Sequence, residues 1–124
     1  MVDSILTNHM KNKVALLITG SNTSEYISHF IIGTGSETVS ANDTILVNSF
    51  DRQPITSISY PSSSGITFQG DWSVSQISGL AFTEWGLIGS ATGLTGSIWT
   101  HHNIPSITFD GTSELRITET LIIT

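Results

Sequence analysis

Apolar residues recur every third or fourth position before Gly20 and every second position from Tyr26 onward, so the chain changes rhythm once. Leu6, Met10, Val14, Leu17 and Ile18 fall on one stripe of a 3.6-residue helix. That spacing predicts an amphipathic helix over 4–18, capped by Asp3 or Ser4 and closed by Gly20 in a left-handed conformation. A short helix followed by a strand from Val14 to Thr19 stays open, because the β-branched residues there suit both.

The rest of the chain reads as short strands. Tyr26 to Ile32 is the first, ending at Gly33-Thr-Gly35, and a polar loop through Asn42-Asp43-Thr44 leads to Leu46 and Val47. Ile55 to Tyr60 is the second, stopped by Pro61 and the Ser62-Ser-Ser-Gly65 turn. The third has the clearest alternation: Ile66, Phe68, Gly70, Trp72 and Val74 share one face, and Thr67, Gln69, Asp71 and Ser73 the other. Ser78-Gly79 turns into a strand over 80–88, Gly89 to Gly93 turns again, and Leu94 to His101 follows. Pro105 demotes Ile104 to Phe109 to an edge or connecting strand. Asp110-Gly111 then turns into the last strand, with Leu115, Ile117, Glu119, Leu121 and Ile123 in phase.

Six or so short strands at this spacing close naturally as an antiparallel two-layer β-sandwich, jelly-roll-like, with one N-terminal α-helix. The expectation is a single domain over 1–124, with the helix in 1–20 and the sandwich in 26–124. The 124 residues suffice to bury a core without a metal or a disulfide, and there is no cysteine to make one. The longest apolar run, Val14 to Ile18, falls far short of the ~20 residues that span a bilayer. Asp3 stands where a signal peptide would be positive, so neither a membrane segment nor an export signal is expected.

Charge narrows the function classes. Lys11, Lys13, Arg52 and Arg116 are the only cations against ten carboxylates, for a net charge of −6. Gripping nucleic acid by counterion release requires clustered cations, so no nucleic-acid partner is expected. The abundant Ser and Thr, alternating with apolar residues, suit a sheet with one wet face.

Catalytic equipment is hard to find. His101 and His102, adjacent on a strand, point to opposite faces and cannot chelate one ion unless His9 or His29 converges with one of them. No Gly-x-Ser-x-Gly elbow is present. Asp71, Glu84 and Glu119 lie on expected strands without a spacing that makes any two converge for glycoside hydrolysis. Gly33-Thr-Gly35 has no helix after it and fails as a phosphate loop. The expectation is therefore no enzyme, no cofactor and no metal. Trp85 and Trp99 are the candidate stacking rings for a glycan, should the chain be a carbohydrate-binding, receptor-recognition module; Trp72 shares the face of Phe68 and reads as core. The sequons Asn22-Thr-Ser24 and Asn42-Asp-Thr44 carry little weight in so Ser/Thr-rich a chain. Glu119, in phase with four aliphatic residues, needs a partner, a place at the sheet mouth or a subunit interface, since a buried bare carboxylate costs several kcal/mol. The mouth and the interface are the preferred readings.

Gly33-Thr-Gly35, Asn42-Asp43-Thr44-Ile-Leu46, Arg52 before a strand, Phe82-Thr-Glu84-Trp-Gly86-Leu87 and Ser113-Glu-Leu115-Arg-Ile-Thr occur in an order that resembles a family of small virion proteins of tailed bacteriophages and related prokaryotic viruses. The resemblance runs from about Phe30 to Ile123. It implies a β-sandwich viral structural protein, a homo-oligomer bound to a capsid or tail protein, located in the virion after assembly in the host cytoplasm. Capsid decoration is the favoured role, with a tail or neck component as the alternative. Similar proteins carry arginine where this chain has His101 and often tryptophan where it has Glu119. If Glu84 pairs with the first of these positions, the pair here is Glu84 with His101, which makes it sensitive to pH.

Overall fold

A computed structural model describes residues 3–20, 26–89 and 96–122. Asn22-Thr-Ser24, most of the expected 89–93 turn, Leu94 and Ile123 lie outside the described residues. The fold is mainly β: two antiparallel sheets, of five and three strands, with a short helix near the N-terminus.

The N-terminal segment divides differently from its periodicity. Asp3–Leu6 forms strand β1, Thr7 is a hinge, and Asn8–Ile18 forms helix α1. Thr7, rather than Asp3 or Ser4, is the cap: its hydroxyl accepts from Met10 N and donates to Ile98 O at 2.6 Å. The helix runs through Ile18, which removes the alternative of a strand from Val14 to Thr19. Gly20, at φ 72°, ends it as expected. No residue of α1 is buried, and Leu17 and Ile18 are 57% and 79% exposed. Of the apolar stripe, Met10 packs against the main core, whereas Val14, Leu17 and Ile18 are exposed.

Downstream, the strands are β2 (His29–Gly33), β3 (Ser49–Pro54), β4 (Ser57–Ser62), β5 (Gly65–Trp72), β6 (Ala81–Ile88), β7 (Thr100–Thr108) and β8 (Leu115–Ile122). The larger sheet has the order β1-β7-β6-β2-β3, the smaller β4-β5-β8. β3 has no counterpart in the alternation, since Ser-Phe-Asp-Arg-Gln-Pro keeps no apolar phase; it exists because β2 offers its edge, with Ile31 opposite Arg52. Arg52 thus lies inside a strand rather than before one. β4 passes through Pro61, which its edge position allows. β5 ends at Trp72, and Val74 belongs to a one-turn helix, α2 (Val74–Ile77), so the chain has a second helix. The strand expected from Leu94 to His101 begins only at Thr100 and continues past Pro105 to Thr108. Among the described residues β1 pairs with β7 as far as Asn103, and Pro105 lies beyond that pairing.

The main core draws on both sheets: Phe30, Ile32 and Leu87 from the larger, Phe68, Trp72, Leu115 and Ile117 from the smaller. Gly70 is required where they approach, because a Cβ there would overlap the Phe30 ring. A second apolar cluster, Ile31, Leu46, Ile88 and Ile98, lies apart from it. Ile31 alternates with Phe30 and Ile32, so this cluster belongs to the opposite face of the larger sheet. Leu46, from the long 34–48 connection, helps to cover that face. No described helix is long and apolar enough to cross a membrane.

Candidate functional site

Glu84 on β6 faces the 34–48 connection and is 1% exposed. Its carboxylate accepts four hydrogen bonds. Oε2 takes Gly35 N at 2.6 Å and Asn48 N at 2.8 Å; Oε1 takes Val47 N and His101 Nε2, each at 2.9 Å. One side chain therefore holds both ends of the connection, and a carboxylate's roughly four acceptor positions are filled. The approach is close enough that a Cβ on Gly35 would overlap Glu84 Oε2 and Val47. Thr83 reinforces it by donating its hydroxyl to Gly35 O.

His101, also 1% exposed, lies between two carboxylates: Nε2 meets Glu84 and Nδ1 meets Asp43 Oδ2 at 2.7 Å. Asp43 Oδ2 also accepts Ser40 N, so it serves as an acceptor as Glu84 does. Both ring nitrogens must then donate, which makes His101 an imidazolium. Burial pushes its pKa down, but the bonds and charges of Glu84 and Asp43 outweigh this and hold it above the ordinary value. Burial would likewise raise Glu84, yet the His101 bond and the three backbone N–H groups hold it below the usual carboxylate range.

His102 turns to the other side of β7. Its Nε2 meets Glu119 Oε1 at 2.9 Å, and Thr100 Oγ1 donates to the same oxygen at 3.3 Å. Glu119 reaches across from β8, 6% exposed, so the carboxylate that stood out among aliphatic residues bridges the two sheets. Of the three readings open from the sequence, the partner is present within the chain. Glu119 also lines an open cleft of about 580 Å³ beside Leu6, Met10, Val14 and Leu121.

The two candidate stacking rings form no platform. Trp99 is 3% exposed, with His9 against it edge-on at 5.7 Å, and Trp85 is half-buried with His102 stacked on it at 3.9 Å. Burial of Trp99 removes the paired surface that a glycan would need. The carboxylates do not converge either. Asp71 accepts Arg116 Nε at 2.7 Å on the exposed side of the smaller sheet, Glu84 faces the connection, and Glu119 spans the sheets. His29 contacts the Ser28 hydroxyl, and no described group of three or more His, Asp or Glu side chains could hold a metal ion.

Chemically, the Asp43–His101–Glu84 row has the order of a proton relay whose Glu84 end is closed, while Asp43 is partly exposed. The Glu84 lone pairs are occupied by N–H donors, leaving no acceptor at that end to take a proton from a substrate. Its evident capacity is mechanical: it fastens a long connection to a sheet. Asp43 and His102 were not identified as partners from sequence. Asp43 stands 58 positions from His101 on a loop, with no period to relate them. His102 was legible in principle, since alternation aims it at the face to which Glu119 also points.

Comparison with protein-family models, with curated proteins and with solved structures returned no match.

Proposed function

We propose that the chain is a non-enzymatic structural subunit of a virus particle, a capsid decoration protein that assembles with copies of itself and with a capsid or tail protein. In this reading the two sheets make a jelly-roll-like antiparallel sandwich. One observation carries it: three of the five short motifs behind the resemblance, those of Gly35, Asp43 and Glu84, meet at one point in space around His101, the position where similar proteins carry arginine. Gly35, Asp43, Glu84 and His101, scattered over 67 positions of sequence, belong to a single hydrogen-bonded cluster. Each of the three motifs supplies one part of the clamp, a close approach, an anion or a carboxylate, and His101 supplies the cation.

The wider chemistry agrees with a scaffold. The buried ionisable side chains are engaged with one another or with backbone N–H groups, and the four cations are too few and too scattered to attract nucleic acid. Antibody labelling of particles banded from a culture that expresses the chain tests the assignment. Label at regular positions on the head is the expected result, label confined to the tail would move the role there, and particles free of the chain would overturn the reading.

A further inference from the structure

Sheet edges show where this chain resists association and where it does not. An exposed edge strand invites pairing with another chain, and proteins blunt such edges with prolines, bulges, short strands or charged side chains. β1 has four residues before the chain turns at Thr7 into α1. β3 ends at Pro54, and its pairing with β2 shifts between Ile32 and Gly33. β4 contains Pro61 and shifts between Ser59 and Ser62. Beyond Asn103, β7 carries Pro105 and another shift. β8 alone is long, regular and free of proline; its two charges are already engaged, Arg116 with Asp71 and Glu119 with His102. It pairs with β5 over eight consecutive positions without a shift, from Gly65 opposite Ile122 to Trp72 opposite Leu115. It contains no proline, glycine or lysine, and among the described residues it has no strand on its other side.

The surroundings of that edge are largely apolar, with Lys11, His102 and Glu119 as the charged or titratable groups among them. The cleft beside Glu119 is walled by Leu6, Met10, Val14, Leu121 and Ile122, of which Leu6, Val14 and Ile122 are exposed. A long, regular edge without proline or shift and an uncovered apolar wall on one side of the molecule ask for the same covering.

We propose that β8 pairs antiparallel with β8 of a second copy about a two-fold axis at Thr118. The two small sheets then join into one of six strands, and the cleft closes between the copies. The strand's own sequence selects this partner and this register. Opposed residues share a face, so the axis must fall on a residue. An axis at Glu119 sets that carboxylate against its own copy, which like-charge repulsion disfavours. An axis at Ile117 leaves Leu121 opposite Ser113. With Thr118 on the axis, Leu115 meets Leu121, Ile117 meets Glu119, Arg116 meets Thr120 and Glu114 meets Ile122. No like charges oppose one another, and nearly all of β8 is used. The interface is isologous and therefore closes on itself.

The inference rests on the reading of the chain as a self-assembling subunit, and the test separates the two. The chain has no cysteine, so Thr118→Cys introduces a single thiol at the axis, where opposed Cβ atoms lie about 5 Å apart. Thr118→Lys places two like charges there on an exposed position, and circular dichroism verifies that the variant is folded. Sedimentation equilibrium of the unmodified chain should give a dimer or an even-numbered assembly. Thr118→Lys should fall to smaller species, and Thr118→Cys should cross-link under mild oxidation while Thr67→Cys, on the neighbouring interior strand, should not. A monomer at every concentration would overturn both the pairing and the self-assembly reading. An assembly that Thr118→Lys leaves intact and Thr118→Cys does not cross-link would overturn the β8 pairing alone.

Discussion

Glu84 illustrates how far a residue's chemistry depends on what has been spent on holding it in place. A buried carboxylate beside a histidine is a reagent when it keeps an open lone pair, and an anchor when three backbone N–H groups and the imidazolium fill it. Glu84→Gln should therefore destabilise the fold by about 3 kcal/mol in urea titration, since its amide nitrogen would confront donors at whichever oxygen it replaced. The pH profile follows from the two directions of shift. The His101 contribution is complete below its ordinary 6.5 and is lost as pH rises through the raised value. The Glu84 contribution is complete above its ordinary 4.5 and is lost as pH falls through the lowered value. His29, held below 6.5 by burial and then by Arg52, acts in the opposite sense, losing stability as pH falls below 6.5. The difference between wild type and His101→Gln cancels His29 and should be largest between pH 4.5 and 6.5. Thermal melts showing an unchanging difference across pH would remove the imidazolium from the account. Residue types were the more legible part here: Glu119 stood out by phase and the pair of Glu84 with His101 followed from the resemblance, whereas Asp43 and the three backbone donors lie on a connection without period.

Among elements, legibility followed burial. β5 and β8 alternate because one face of each is covered, and their strands appeared where the pattern placed them. β3 is exposed or half-exposed throughout and left no pattern. The N-terminus misled for a related reason. Its apolar spacing fits a helix over 4–18, but Ile5 and Leu6 are recruited by the edge of β7, a partner about a hundred residues away that no local period reveals. What separates β1 from α1 is Thr7, fully buried and bonded to Ile98 O. Thr7→Ala should cost about 1–2 kcal/mol through the lost cap and bond. Ile18→Ser, at the exposed end of the helix, should change stability by less than about 0.5 kcal/mol. Equal effects in denaturant unfolding would mean that α1 packs in a way its exposed end denies. The 34–48 connection is the opposite case, an irregular element fixed by one side chain. Gly35→Ala should cost about 1–3 kcal/mol by overpacking and speed proteolysis between Ser36 and Val47, whereas an undisturbed connection would argue against the close approach.

On the scale of the whole molecule, two consecutive histidines connect three layers. His101 ties the larger sheet to its outer connection, and His102 ties the same strand to Glu119 of the smaller sheet. Mainly β structure was readable in the alternation, but strand order was not, because β1 with β7 and β5 with β8 are pairings between distant segments. The layered linkage predicts that the outer connection opens only when the core does. Native-state hydrogen exchange at the amides of Gly35, Val47 and Asn48 measures this directly, for these are the donors to Glu84. The clamp account predicts that all three exchange with the free energy of global unfolding, shared with core strand amides, and fall together to lower protection in Glu84→Gln. Exchange far below the global value in the wild type, or protection unchanged in Glu84→Gln, would contradict it.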